Sequence, residues 1–255
     1  MDLARQIDIY CERTDPSLWS EPVNALTNLA FFAAAWFGWR EAARVARAGG
    51  MAWDLYLLAV LAAVVGLGSF AFHTTAQVWS AWADGLAILG FIYVWLARYL
   101  ARVAALGVLG VTAGLVVYFL LDRLAGRLFP PDVLNGSGQY LAALLTLMGL
   151  AIYARPRFPA TASWLLAAAG IFTVSLAFRT VDLAVCERLP LGTHFLWHLL
   201  NGAVLAIAVV RMRPLFRVMQ TRLDGINRVL REQITGMRVV RAFVREPLET
   251  ARFGE

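Results

Sequence analysis

Apolar residues fill seven blocks of roughly 18–22 residues, the length of a helix that crosses a lipid bilayer. Short polar connections part them. Their positions predict spans at about 23–39, 53–74, 84–101, 104–121, 137–153, 160–178 and 194–210. Ahead of them, residues 1–22 are polar and acidic, with Asp2, Asp8, Glu12, Asp15 and Glu21 against Arg5 and Arg13. Behind them, from about Arg211, apolar and charged residues interleave at near-helical spacing. The expected fold class is therefore all-α, a seven-transmembrane-helix bundle. It is framed by an acidic N-terminal segment (1–22) and a basic tail (211–255), with the helical domain at 23–210.

Charge orients this bundle. Arg40, Arg44 and Arg47 follow the first span, and Arg98 and Arg102 lie between the third and fourth. Arg155 and Arg157 follow the fifth, and Arg211, Arg213 and Arg217 follow the seventh. The other connections are mixed or acidic. Basic loops stay on the cytoplasmic side, which puts the N-terminus outside and the C-terminus in the cytoplasm. Composition agrees: 60% of the 255 residues are hydrophobic and 16% charged, far more apolar than a soluble domain. The net charge of +6 is carried by arginine alone, and topology and the tail account for it without a nucleic-acid partner. No GxxxxGK[ST] sequence is present to cradle a nucleotide. The first block follows an acidic segment and lacks a small-residue cleavage site, unlike a signal peptide. Trp19, Trp79, Trp82 and Trp197 fall near outer boundaries, as an interfacial aromatic belt does.

The chemistry gathers on histidine. There are three: His73 at the end of the second span, and His194 and His198 four residues apart at the start of the seventh. That spacing puts the last two on one helical face, one turn apart. The second span runs outward and the seventh inward, so Ser69, His73, His194, His198 and Asp84, which opens the third span, share one depth near the outer face. Three imidazoles buried there point to a zinc ion with three protein ligands and an open position. Asp84 is suited to moving a proton and Ser69 to donating to an oxyanion. Cys11 and Cys186 both fall outside, where a disulfide is permitted; the residues leave open a bridge or two separate thiols.

The stretches Glu-Pro-Val-Asn-Ala-Leu-Thr-Asn at 21–28, Gly-Ser-Phe-Ala-Phe-His at 68–73, Asp84 and His-Phe-Leu-Trp-His at 194–198 are spaced as in the alkaline ceramidase family. The chain resembles that family, which is related to the adiponectin receptors, over about residues 5–210. The resemblance implies an intramembrane zinc-dependent amidase that splits ceramide or a related N-acyl lipid into a fatty acid and a free amine lipid. His73, His194 and His198 would be the zinc ligands, Asp84 would handle the proton, and Ser69 would assist at the oxyanion. It further implies a Cys11–Cys186 disulfide and a calcium site around Glu12 and Glu21. Ile9 stands where that site has an aspartate, with Asp8 one position earlier.

The tail, from Arg228 to Glu246, resembles a cytoplasmic segment of ATP-binding-cassette exporter transmembrane domains. Without a nucleotide-binding domain it implies no transport, and it is expected to lie as an amphipathic helix at the inner leaflet or to be disordered. The reading that unites these features is a lipid amidase in a bacterial inner membrane, its site facing the periplasm and its partner a membrane lipid. The rival is a non-catalytic, receptor-like protein that holds the same zinc.

Overall fold

The structure, a computed structural model, describes residues 2–130, 132–211, 225–231 and 251–252. The chain divides into two units, residues 1–212 and 213–255. In the second unit the described residues are helical, and most of the exporter-like segment lies outside them.

After its non-helical N-terminal segment the first unit is built of helices: α1 (Pro22–Thr27), α2 (Leu29–Arg47), α3 (Trp53–Thr75), α4 (Val78–Arg102), α5 (Val108–Leu128), α6 (Leu141–Ala154), α7 (Pro159–Val181) and α8 (His194–Val210). Among its described residues the extended pairing is a single antiparallel bridge between Gln6 and Gln77. Five stretches are long and apolar enough to cross a membrane: α3, α4, α5, α7, and α6 together with the 3-10 turn before it. The shorter α8 is apolar as well. Large apolar side chains stand exposed along them, including Leu67, Leu86, Leu109, Leu120, Ile152 and Leu166. Such continuous apolar surface suits lipid rather than water.

Three blocks differ from the hydropathy pattern, the fourth by running over Val108–Leu128 in place of about 104–121. The first block breaks at Asn28, whose side-chain amide bonds back to Asn24 O and Ala25 O. The second piece then runs on through Arg40 and Arg44 to Arg47. Charge alone does not stop a helix: Glu41 and Arg44 pair three residues apart, as neighbours on a helix do. The third block starts earlier than expected, at Val78, because Gln77 and Ser80 form a reciprocal capping box there. Asp84 thus lies in the second turn of α4 and is not its cap.

Helices α2 to α8 pack as a ring in chain order, with α8 returning to α2. Small residues set its tightest seams. A Cβ at Gly202 would meet Ala30 backbone atoms at 2.9 Å, so glycine there lets α8 close on α2. The ring is loosest around α5, which buries only Tyr118 and Ala125. At the end of the ring where α3 begins, Asp54 is fully buried and held by Arg98 Nη2 at 2.7 Å and Arg102 Nη2 at 3.4 Å.

Candidate metal centre

Local geometry brings the three histidines together from two elements. His73 sits in the last turn of α3, which ends at Ala76 in the left-handed conformation (φ 45°). His194 opens α8, and the N-terminus of that helix is capped by a remote carboxylate. Asp182, with no exposed surface, accepts the N–H groups of Thr193 (2.6 Å) and His194 (2.9 Å) on Oδ1, and the N–H of Cys11 (3.1 Å) on Oδ2. A carboxylate suits the positive end of a helix dipole, and it fixes where His194 and His198 project.

One ligand atom from each of His73, His194 and His198 lies within 4.8 Å of the others, and each residue is only 1% exposed. His73 Nδ1 meets Glu21 Oε2 at 2.6 Å. An ionised carboxylate only accepts, so that nitrogen carries the proton and Nε2 offers a lone pair. His198 Nδ1 lies 2.9 Å from Thr27 Oγ1. The Thr27 hydroxyl is spent on the carbonyls of Val23 and Asn24, so His198 Nδ1 is again the donor and its Nε2 is free. His194 Nδ1 is buried with no hydrogen-bond partner among the described residues. Buried imidazoles oriented through one nitrogen, with others left unpartnered, fit a metal ion, and three nitrogen donors fit zinc.

Ser69 lies one turn before His73 and is 4% exposed. Asp84 approaches it because Gly68 lets α3 and α4 touch: a Cβ on Gly68 would meet Ala83 O at 3.0 Å and Asp84 Cα at 3.1 Å. Asp84 Oδ1 is buried and has no hydrogen-bond partner among the described residues. Ser69, Asp84, His194 and His198 all line one cavity of about 110 Å³, walled mainly by apolar side chains of α4, α6, α7 and α8. A metal-competent triad beside an unpaired carboxylate and a hydroxyl, in an apolar cavity, is an arrangement able to hydrolyse a lipid bond.

A family model described as Ceramidase matches residues 10–229. The chain belongs to the Ceramidase family. It is also 49% identical over 61 residues to an uncharacterized ABC transporter ATP-binding protein of Mycobacterium bovis and to one of Mycobacterium tuberculosis. That match covers 22% of this chain and 10% of each relative, so the chain spans a tenth of their length.

Within this family member the N-terminal segment closes over the histidines. Ile7 N–H donates to Ala76 O (2.7 Å), and Val78 N–H to Arg5 O (3.1 Å). Cys11 and Cys186 are bonded, with their Cα atoms 5.3 Å apart. The Tyr10 ring stacks on His194 at 3.6 Å between centroids.

Of the three residues expected around calcium, one stands apart and the other two already have protein partners. Asp8 is exposed. The Glu12 oxygens accept the N–H groups of Val23 (2.6 Å) and Asn24 (2.7 Å). Burial pushes the Glu12 carboxyl up, against those two bonds. Glu21 accepts on Oε1 from Arg13 Nε (2.6 Å) and on Oε2 from His73 Nδ1 and Asn24 Nδ2 (3.1 Å). Burial raises its carboxyl, but the bonds to His73 and Arg13 outweigh this and hold it below the ordinary carboxylate value. The Arg13 guanidinium fills the remaining space, donating to the carbonyls of Asp15 (3.1 Å), Ser17 (3.2 Å) and His73 (3.2 Å). A hard cation needs six or more oxygens around it, and an organic cation already stands among these. The residues present do not fit calcium.

Asp182 and Arg13, which shape the site, do not read as site residues in the sequence, and Gly68 reads only as part of the 68–73 stretch. Trp197, expected in the outer belt, is instead 5% exposed and lines the cavity, whereas Trp19, Trp79 and Trp82 are exposed.

Proposed function

We propose that this chain is a seven-span intramembrane amidase that holds zinc on His73, His194 and His198 and hydrolyses the amide bond of ceramide or a related N-acyl lipid. The reading is carried by one observation: the histidine cluster, two of whose rings are anchored through Nδ1, borders the same cavity as an unpaired carboxylate. The N-terminus is read as outside and the C-terminus as cytoplasmic, in a bacterial inner membrane with the site toward the periplasm. Residues 211–255 are read as an appended basic module.

His73, His194 and His198 would hold the zinc, which when bound would supply polarisation of the amide carbonyl and a more acidic water. The protein does the rest. Glu21 and Thr27 keep two imidazoles in the tautomer that presents Nε2. Asp84, unpaired before substrate arrives, accepts the proton of the attacking water and returns it to the leaving amine nitrogen. Ser69 donates its hydroxyl proton to the oxygen that becomes negative. The apolar walls seat the acyl chain and exclude bulk water, which strengthens each of these interactions. The loose packing around α5 is where a lipid would enter sideways from the bilayer.

The test is incubation of purified protein, with and without chelator, with a panel of N-acyl lipids, followed by mass analysis of released fatty acid. Release that the chelator abolishes is expected. Bound zinc without turnover of any lipid in the panel would favour the receptor-like reading instead.

A further inference from the structure

A buried cation beside the candidate catalytic groups makes no direct ion pair among the described residues. Arg179, on α7, is 6% exposed and lines the cavity together with Asp84, His194 and His198. Nη1 donates to the Tyr10 hydroxyl at 2.7 Å, while Nε is buried with no hydrogen-bond partner among the described residues. Three aromatic faces surround the guanidinium: Tyr10 at 5.5 Å, Tyr140 at 5.5 Å and Trp197 at 5.3 Å. These rings attract a cation but carry no net charge. The carboxylate that acts on it, Asp84, lines the same cavity but stands beyond ion-pair distance, and that of Asp182 is spent on three backbone N–H groups. A buried guanidinium left in this state is costly unless an anion joins it.

Resting on the amidase reading for its setting, we propose that Arg179 binds a carboxylate carried by the amine half of the substrate, which makes an N-acyl amino acid lipid the preferred substrate. The planar guanidinium matches a carboxylate and still has donors to offer. Tyr10 links the two functions, because the ring whose hydroxyl takes Arg179 Nη1 also stacks on His194. A substrate carboxylate held there stands one or two bonds from an amide that faces the histidines. In the reaction the amide C–N bond breaks, the acyl carbon bonds to the water oxygen, and the nitrogen leaves protonated. The products are a fatty acid and a free amino acid whose own carboxylate is unchanged. A neutral sphingoid amide would leave the guanidinium without a direct ionic partner.

Binding to metal-stripped protein in detergent tests this, because stripping removes the other cation that attracts carboxylates. Three probes are titrated by calorimetry: N-dodecanoylglycine, its uncharged counterpart N-dodecanoylethanolamine, and dodecanoate. N-dodecanoylglycine should bind roughly tenfold to a hundredfold tighter than the ethanolamine, the range a hydrogen bond to a charged group supplies. Arg179→Gln should erase that difference. Equal binding of the two amides by the wild-type protein would overturn the proposal without recourse to any variant. Arg179-dependent binding of dodecanoate as tight as that of N-dodecanoylglycine would assign the site to the fatty-acid product and overturn it too. Hydrolysis by zinc-loaded protein separates this proposal from the amidase reading. Cleavage of neutral amides with no preference for the carboxylate would sink the first and spare the second. Carboxylate-selective binding with no cleavage of any amide would do the reverse.

Discussion

The two ends of α3 treat buried charge in opposite ways. At its start, Asp54 is matched by Arg98 and Arg102, and the ion pairs tie α3 to α4. At its other end, His73 is matched on one nitrogen only, and around it stand His194 Nδ1, Asp84 Oδ1 and Arg179 Nε without partners among the described residues. Both clusters lie inside the same bundle, so burial alone does not separate them. Saturation does. A paired buried charge fixes the packing of its helices. A group of buried donors and acceptors with spare capacity is poised for something that arrives later.

That contrast can be broken from either end. The largest effect is expected at the histidines: His198→Ala should abolish bound metal and activity together, read by metal analysis and fatty-acid release on the same sample. Asp84→Asn should keep the metal but slow turnover by about 10²–10⁴-fold, the usual loss when a positioned acid–base group is removed. Full activity in that variant would remove Asp84 from proton transfer. At the paired end, Asp54→Ala should cost up to about 3–5 kcal/mol of stability by removing the buried carboxylate from the Arg98 guanidinium. Thermal unfolding in detergent would measure this, and metal content per folded molecule should stay unchanged.

The smallest effect belongs to the orienting shell. Glu21→Gln should weaken metal affinity by about 10–100-fold, as loss of such partners does. The Glu21 carboxyl is held below its ordinary value of 4.5, so its stabilising contribution is complete above that pH and fades as the pH falls through the lower folded value. The variant should lack that acid limb in a melting curve taken across pH.

How much of this was legible beforehand follows from the range of each interaction. His194 and His198 are one turn apart on one helix, and helical periodicity alone places them together. His73 joined them through charge-based topology, which set all three at one depth. Ser69 was found because it lies one turn from His73. The cap on α8 escaped notice, because Asp182 reaches its partners across a turn and, through Cys11, across 171 positions. Arg13 counted only as a basic residue among the acidic ones of 1–22, yet it fills the space that the family pattern suggested for calcium. Arg179 drew no notice, because nothing local shows that three aromatic rings from distant parts of the chain enclose it. The start of α4 was misplaced since hydropathy does not register a capping box, and with it Asp84 passed for a helix opener.

X-ray absorption at the zinc edge on purified, membrane-extracted protein tests the central claim most directly. The account predicts bound zinc with three nitrogen ligands at about 2.0–2.1 Å, no sulfur, and one further light atom. Protein that retains no zinc under conditions where it is folded, or zinc whose signal persists in His198→Ala, would contradict it.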